Sequence, residues 1–224
     1  MPSDASSATK TAKAAKARAN VTSDIREAIL RGDFVAGQRL VEADLTEQFS
    51  ASRGAVRSAL LELAAEGLVE RIANRGARVR IVPLDEAIEI YEVRMAVEAL
   101  CAAKAAERIG AAEAEELRTI GSDMRVAVAG GDIMRYRQLN QRLHQRIREI
   151  SGQRAASDVL ERLRAQSVRQ QFKVATMPGR PQVSLPEHLA IIDAICAGDA
   201  DAAEQAIRLH LGSVMEAMRR ASES

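Results

Sequence analysis

Two sets of residues in this 224-residue chain have the types and spacing to do chemistry. Arg53 and Arg57 stand four apart at the start of an apolar-periodic stretch, so on a helix they share one face of its first turns. A guanidinium forks onto guanine in the DNA major groove or onto a phosphate. Gly54 and Ala55 between them are small and let a helix end approach base edges closely. The second set is histidine. The three histidines, His144, His188 and His210, all fall in the second half of the chain. His144 shares a helix face with Asn140 and Ile147, His188 with Ile192 and Ile195, and His210 lies beside Ile207, Leu211 and Val214. Any one of them alone reads as a satisfied core histidine. Three inward imidazoles on three helices read as ligands, because neutral imidazole is the commonest ligand for zinc, nickel and similar ions. Arg94 is the remaining outlier, set in a stripe with Ile90, Val97 and Cys101. It either pairs with Glu98 along the helix or faces the interior, ready to fork onto a carboxylate.

The arginines need a helix presented end-on. Leu40, Val41, Leu45 and Phe49 recur at helical spacing and predict a short helix from Glu42 to Phe49. Ser50-Ala51-Ser52 breaks the period, and Ser52 is a good N-cap for a second helix. That helix is expected to bury Val56, Leu60, Leu61 and Leu63 and to end near Glu66-Gly67. Two helices joined by so short a turn make a helix-turn-helix, whose second helix enters the major groove by its N-terminal residues. Leu68–Ile72 and Ala77–Ile81 then alternate like paired strands, with Asn74-Arg75-Gly76 supplying hairpin-turn residues. Four arginines and no acid fall between Arg71 and Arg80. The pattern is a winged helix whose basic tip, carrying Arg75, lies along the backbone or in the minor groove. The residues expected at DNA are Ser52, Arg53, Gly54, Ala55, Arg57, Asn74, Arg75 and Gly76. Upstream, residues 24–31 form a first helix with Ile25, Ile29 and Leu30 inward, and Phe34 and Val35 plug the small core.

The histidines need a bundle. From Leu84 onward amphipathic segments follow one another: Leu84 to Arg108, Ala111 to Ala129, Asp132 to Ile150, Gln153 to Val174, Leu185 to Cys196 and Asp199 to Ala221. A loop around Pro178-Gly179-Arg180-Pro181 precedes the fifth. About 140 residues of such helix suffice for an antiparallel bundle with its own core. The expected organisation is a disordered basic tail over 1–19, a DNA-binding domain over 20–82 and a helical domain over 83–224. The fold class is mainly α: an N-terminal winged helix-turn-helix with a small two-stranded wing, then a C-terminal antiparallel α-helical bundle.

Composition narrows the function classes. Basic and acidic residues number 32 and 31, so net charge argues neither for nor against nucleic acid and only local clustering counts. With two Tyr, three Phe and no Trp, the core must be built from Ala, Leu, Ile, Val and Met. No apolar run approaches membrane-span length and no signal-peptide pattern is present, as expected of a cytoplasmic protein. Cys101 and Cys196 are isolated and read as buried thiols in a reducing compartment.

The order of residues from Arg39 through Ser52-Arg53, Val56-Arg57, Glu66-Gly67-Leu68-Val69 and Asn74-Arg75-Gly76-Ala77 resembles the N-terminal domain of GntR-type bacterial regulators. The resemblance covers roughly residues 20–82. Gly54 stands where a Thr is common, and Ser50-Ala51 replaces a usual Gly-Val. The second half resembles the ligand-binding, FCD-type bundle of the FadR-like branch, most plainly in Tyr91-Glu92-Val93-Arg94, Glu98, His144, Glu187-His188, Gly198-Asp199 and His210. The resemblance implies a divalent metal (zinc, nickel or manganese) held by Asn140, His144, His188 and His210, with Asn140 replacing a frequent Asp. It also implies a small carboxylate effector on Arg94, a homodimer, and an inverted-repeat operator in double-stranded DNA. The function so implied is a DNA-binding transcriptional regulator, a repressor, controlled by an organic acid in the bundle and by a metal. The alternatives are an architectural DNA-binding protein without ligand control and a metal-dependent hydrolase in the bundle.

Overall fold

A computed structural model of the chain describes residues 21–72, 76–175 and 177–223. The tail expected over 1–19, and Asn74 and Arg75 at the expected wing tip, lie outside the described residues. The chain divides into two compact units, residues 1–82 and 83–224.

In the first unit, α1 (residues 21–31) buries Val21, Ile25, Ala28 and Ile29. Phe34 is buried with its ring 6.4 Å from that of Phe49. Val35, expected beside it in the core, is exposed instead, as neighbouring loop residues point opposite ways. The helical spacing of Leu40 proved misleading. Arg39–Leu40 form a two-residue strand, β1, and α2 runs only from Glu42 to Gln48. The chain then turns at Ser50 with φ 48°, a left-handed conformation that disfavours a side chain. The second helix, α3 (Arg53–Ala65), starts as its cap predicts: the Ala55 N–H donates to Ser52 Oγ at 3.2 Å. Its inner face is Val56, Ala59, Leu60 and Leu63. Leu61 is exposed, because consecutive helical residues lie about 100° apart and Leu60 takes the inward direction. Thr22 Oγ1 donates to Glu62 and Arg26 makes two bonds to Glu66, tying α1 to the end of α3.

The sheet has three antiparallel strands in the order β1-β3-β2, one more than expected. In the hairpin of β2 (Val69–Ile72) and β3 (Gly76–Val79), Val69 pairs with Val79 and Ile72 with Gly76. Leu40 of β1 pairs with Ala77. Gly76 has φ 87°, and a Cβ there would approach the Leu40 carbonyl oxygen to 3.1 Å. Only glycine suits that crossing.

The second unit is helical throughout its described residues: α4 (Leu84–Arg108), α5 (Ala111–Ala129), α6 (Ile133–Ser151), α7 (Arg154–Ala175), α8 (Arg180–Cys196) and α9 (Ala200–Glu223). Helix α4 is the central element, packed by α6, α7, α8 and α9, while α5 covers α6 and α8. Leu117, Met124, Leu143, Ile191, Ile195 and Leu211 fill the core between them. On α5, Gly121 lets α8 come close: a Cβ there would meet Ile192 at 3.0 Å. Cys101 is buried beside Ala156 and Leu160, and Cys196, expected to be buried, is half-buried; both are free thiols. Helix α8 begins at Arg180, five residues before the expected start at Leu185. Pro181 sits in its first turn, where a missing N–H removes no intrahelical bond, so the Pro-Gly-Arg-Pro stretch ends as helix, not as loop. No helix among the described residues is long and apolar enough to cross a membrane.

Candidate functional site

The front of α3 presents Arg53, Gly54 and Arg57 to solvent, and among the described residues neither arginine has an ion-pair partner. Ala55, expected alongside them, is buried in the core, so it offers no side chain outward. In the wing, Arg78 lies opposite Glu70 and its Nε donates to that carboxylate at 2.5 Å. The hairpin is therefore less basic than the run of arginines implied, because the strand register brings an acid from outside that run.

In the bundle, one ring nitrogen from each of His144, His188 and His210 lies within 4.8 Å of the other two. The rings pack at centroid separations of 4.3 Å (His188–His210), 5.4 Å (His144–His210) and 5.6 Å (His144–His188). Helices α6, α8 and α9 each supply one. Four-residue steps carry the supporting groups: Tyr136, Asn140 and His144 on α6, and Arg180, Ser184 and His188 on α8. Both series therefore run along one helix face.

Each imidazole is oriented through its Nδ1. His144 Nδ1 lies 2.9 Å from Glu98 Oε2, and His210 Nδ1 lies 2.8 Å from Glu187 Oε2. Burial pushes the Glu98 carboxyl up, but Arg94 and then His144 outweigh it and hold Glu98 well below the usual carboxylate range. Burial likewise raises Glu187, and hydrogen bonds from His210 and Ser213 bring it below its ordinary value. Both acids are carboxylates and can only accept, so His144 and His210 each donate from Nδ1–H. The third ring follows from a chain of single donors. The Ser184 hydroxyl donates to the Arg180 carbonyl at 3.0 Å, leaving the Tyr136 hydroxyl, 2.7 Å away, to donate to Ser184. Tyr136 then accepts from His188 Nδ1 at 3.0 Å. Burial pushes the phenol up to about 12, so it keeps its proton. The Nε2 atoms take no part in these bonds, and that of His188 is buried without a hydrogen-bond partner.

Two arginines complete parallel Arg–Glu–His relays. Arg94 Nε and Nη2 donate to Glu98 Oε1 at 3.0 and 2.7 Å, with the guanidinium 4.4 Å from the Tyr91 ring centroid. Arg180 Nη1 donates to Ser213 and Nη2 to Glu187, at 2.8 and 3.2 Å. Burial depresses His188 well below its ordinary value, aided by His210 and His144; burial also lowers His210, with Glu187 opposing. These two rings are neutral, as ligation requires.

Among the described residues, the buried side-chain nitrogens and oxygens without a hydrogen-bond partner are Arg94 Nη1, Asn140 Oδ1 and His188 Nε2. His188 is one of the three clustered rings, Arg94 pairs with the Glu98 that meets His144, and Asn140 lies about one helical turn before His144. Buried polar atoms are normally satisfied, and exceptions call for an unseen ion, water or ligand. Three imidazoles whose ring nitrogens lie within 4.8 Å of one another, each ring fixed by an outer hydrogen bond, fit a divalent transition metal. Arg94 is paired with Glu98 along the helix, the first of its two sequence readings, and its Nη1 has no hydrogen-bond partner.

Sequence reasoning gave no role to Tyr136, Arg180, Ser184, Glu187 or Ser213. The four-residue steps of α6 and α8 would have found Tyr136, Ser184 and Arg180, had α8 been extended to its true start. Glu187 and Ser213 act through contacts between helices, which no spacing along one segment reveals.

Residues 89–213 match the FCD domain family, and residues 17–79 match the gntR family of bacterial regulatory proteins. The chain is 28% identical over 197 residues to the HTH-type transcriptional repressor RspR of Escherichia coli K12, a similarity covering 86% of each protein. Its fold is similar to E. coli McbR/YncC, with a TM-score of 0.78 and 19% identity over 91% of this chain and 97% of that one. A protein of Rhodococcus sp. RHA1 described as a transcriptional regulator GntR is similar too, with a TM-score of 0.71 and 23% identity over the same shares.

Proposed function

The chain belongs to the FCD-domain branch of the GntR family of bacterial transcriptional regulators, and from that membership we infer a homodimeric repressor released from its operator by a small carboxylate. It is a regulator and not an enzyme. Residues 20–82 are the DNA-binding domain in this reading and residues 83–224 the effector-binding and dimerising one. Two copies place two α3 helices about one DNA turn apart, on an inverted repeat. Arg53 and Arg57 read base edges or phosphates, with Ser52 and Gly54 giving the helix end close approach. Asn74, Arg75 and Gly76 would add contacts to the DNA beside that helix.

His144, His188, His210 and Asn140 would hold a divalent zinc, nickel or manganese ion, which when bound supplies a positive anchor for a carboxylate. Arg94 Nη1 supplies the second anchor. Glu98, Glu187 and Tyr136 orient the rings and keep each Nε2 available. The observation that supports this reading is the convergence of the His144, His188 and His210 ring nitrogens to within 4.8 Å of one another, with the buried His188 Nε2 unpartnered.

The test is fluorescence anisotropy with DNA from the protein's own upstream region at fixed salt, plus elemental analysis of the purified chain. Arg57→Ala should weaken binding by about tenfold or more while metal content persists. Unchanged binding would remove Arg57 from the contact set. Thermal-shift screening of hydroxy acids, dicarboxylates and sugar acids separates this reading from an architectural protein, which would respond to none.

A further inference from the structure

Building on the metal-centred reading above, we infer that Asn140 makes the bundle take up a divalent metal and an anion together: each binds strongly only with the other present. The reason is a charge balance that the site's own residues close without any ion. Arg94 is paired with Glu98 and Arg180 with Glu187, so the two buried cations and the two carboxylates beside the rings cancel. Each carboxylate also accepts from a ring Nδ1, so its lone pairs are directed away from the Nε2 atoms. Asn140 offers an amide dipole in place of a charge, and its Oδ1 has no hydrogen-bond partner.

A dication entering this set brings two positive charges that none of its direct ligands offsets. His188, His210, Arg94 and Glu98 are all at least nine-tenths buried, so water screens that charge poorly. An uncompensated charge in such surroundings is strongly disfavoured. A carboxylate on the metal's open position halves the imbalance. The amide oxygen of Asn140 has no hydrogen-bond partner in its own fold, as a purely structural amide would have. It is a lone pair awaiting a cation, and a weak one. An aspartate there would supply the missing negative charge from the protein and let metal bind alone. Linkage makes the effect mutual: whatever factor the anion adds to metal affinity, the metal adds to anion affinity. The regulator then answers to the coincidence of metal and acid, and to neither alone.

The experiment titrates nickel into metal-stripped full-length protein by calorimetry, in sodium acetate and in sodium perchlorate at equal ionic strength and pH. Acetate is the probe because it carries one carboxylate and binds free nickel weakly. In the wild type, acetate should tighten nickel binding by about tenfold or more. Asn140→Asp should bind nickel tightly in both salts, with a ratio near one. Asn140→Ala, which adds no buried charge and leaves the three histidines, should bind more weakly yet keep the acetate dependence. Equal nickel affinity of the wild type in both salts would overturn the coupling while leaving the metal site standing. The same acetate ratio in Asn140→Asp as in the wild type would show that Asn140 is not its source. No nickel binding by the wild type in either salt would sink the metal reading itself.

Discussion

Tyr136→Phe tests the orientation argument most directly, because it removes one oxygen and changes almost nothing else. The hydroxyl donates to Ser184 at 2.7 Å and accepts from His188 Nδ1 at 3.0 Å, both in a buried setting. Without it, His188 Nδ1–H keeps only the Ser184 backbone as acceptor, and its tautomer is held less firmly. The ring is then free to carry its proton on Nε2, which abolishes the lone pair needed for ligation. Removing such an outer-shell partner typically weakens metal binding about 10–100-fold, equivalent to about 1.4–2.8 kcal/mol. The metal-free fold should lose stability as well, by about 1 kcal/mol, since a buried hydrogen bond is lost. Competition of zinc between the protein and a chromophoric chelator measures the first quantity, and thermal melting of the metal-free protein the second. Zinc affinity within a factor of about two of the wild type, alongside a lowered melting temperature, would refute the reasoning. Tyr136 would then be packing, and the tautomer of His188 would be set elsewhere.

Other perturbations follow from single observations. Ser50→Gly should stabilise the first unit by about 0.5–1 kcal/mol, because the φ of 48° strains any residue with a Cβ and glycine's greater unfolded-state freedom offsets only part of the gain; an unchanged melting temperature would show that the strain is absorbed locally. Acidification from pH 7 to 5 should destabilise the metal-free protein. His188 and His210 have folded values below their unfolded ones, so the unfolded chain binds more protons in that window and stability falls as pH drops. His188→Gln should flatten that slope in pH-dependent melting curves, and an equal slope in the variant would assign it to other groups.

Much of the fold was legible because long amphipathic helices leave strong periodicity. Helices α4 and α5 run over the spans read from their apolar stripes and flanking breakers, and Ser52 caps α3 as its side chain dictates. Short elements were the hard ones. Two residues of β1 carry no period, and Leu40 lies at helical spacing from Leu45 by coincidence. The start of α8 was hidden by its two prolines, since a first-turn proline and a loop proline look the same in sequence. For the candidate site, the histidines announced themselves by residue type, and their ring nitrogens do converge. The partners on other helices did not, because Glu187 reaches His210 and Ser213 reaches Arg180 only once α8 and α9 are packed.

The position of Arg94 joins the two halves of the proposed switch. Helix α4 begins at Leu84, immediately after the boundary between the units, and Arg94 lies about three turns along it. The same helix carries Glu98, which orients His144, so an anion held between the metal and Arg94 Nη1 would pull on α4 against α6, α8 and α9. Arg94 cannot turn freely to meet a ligand. Two of its nitrogens are held by Glu98 and its face lies on Tyr91, so swinging the guanidinium away would strand a buried carboxylate. A rigid anchor transmits force to its helix, where a flexible one would absorb it by changing rotamer. Tenfold weaker operator binding needs about 1.4 kcal/mol of difference between two settings of α4, comparable to one charge-assisted hydrogen bond gained by Arg94 Nη1. In the proposed switch, one hydrogen bond to this unpartnered donor would suffice, on a helix that begins at the boundary between the units, for a tenfold response.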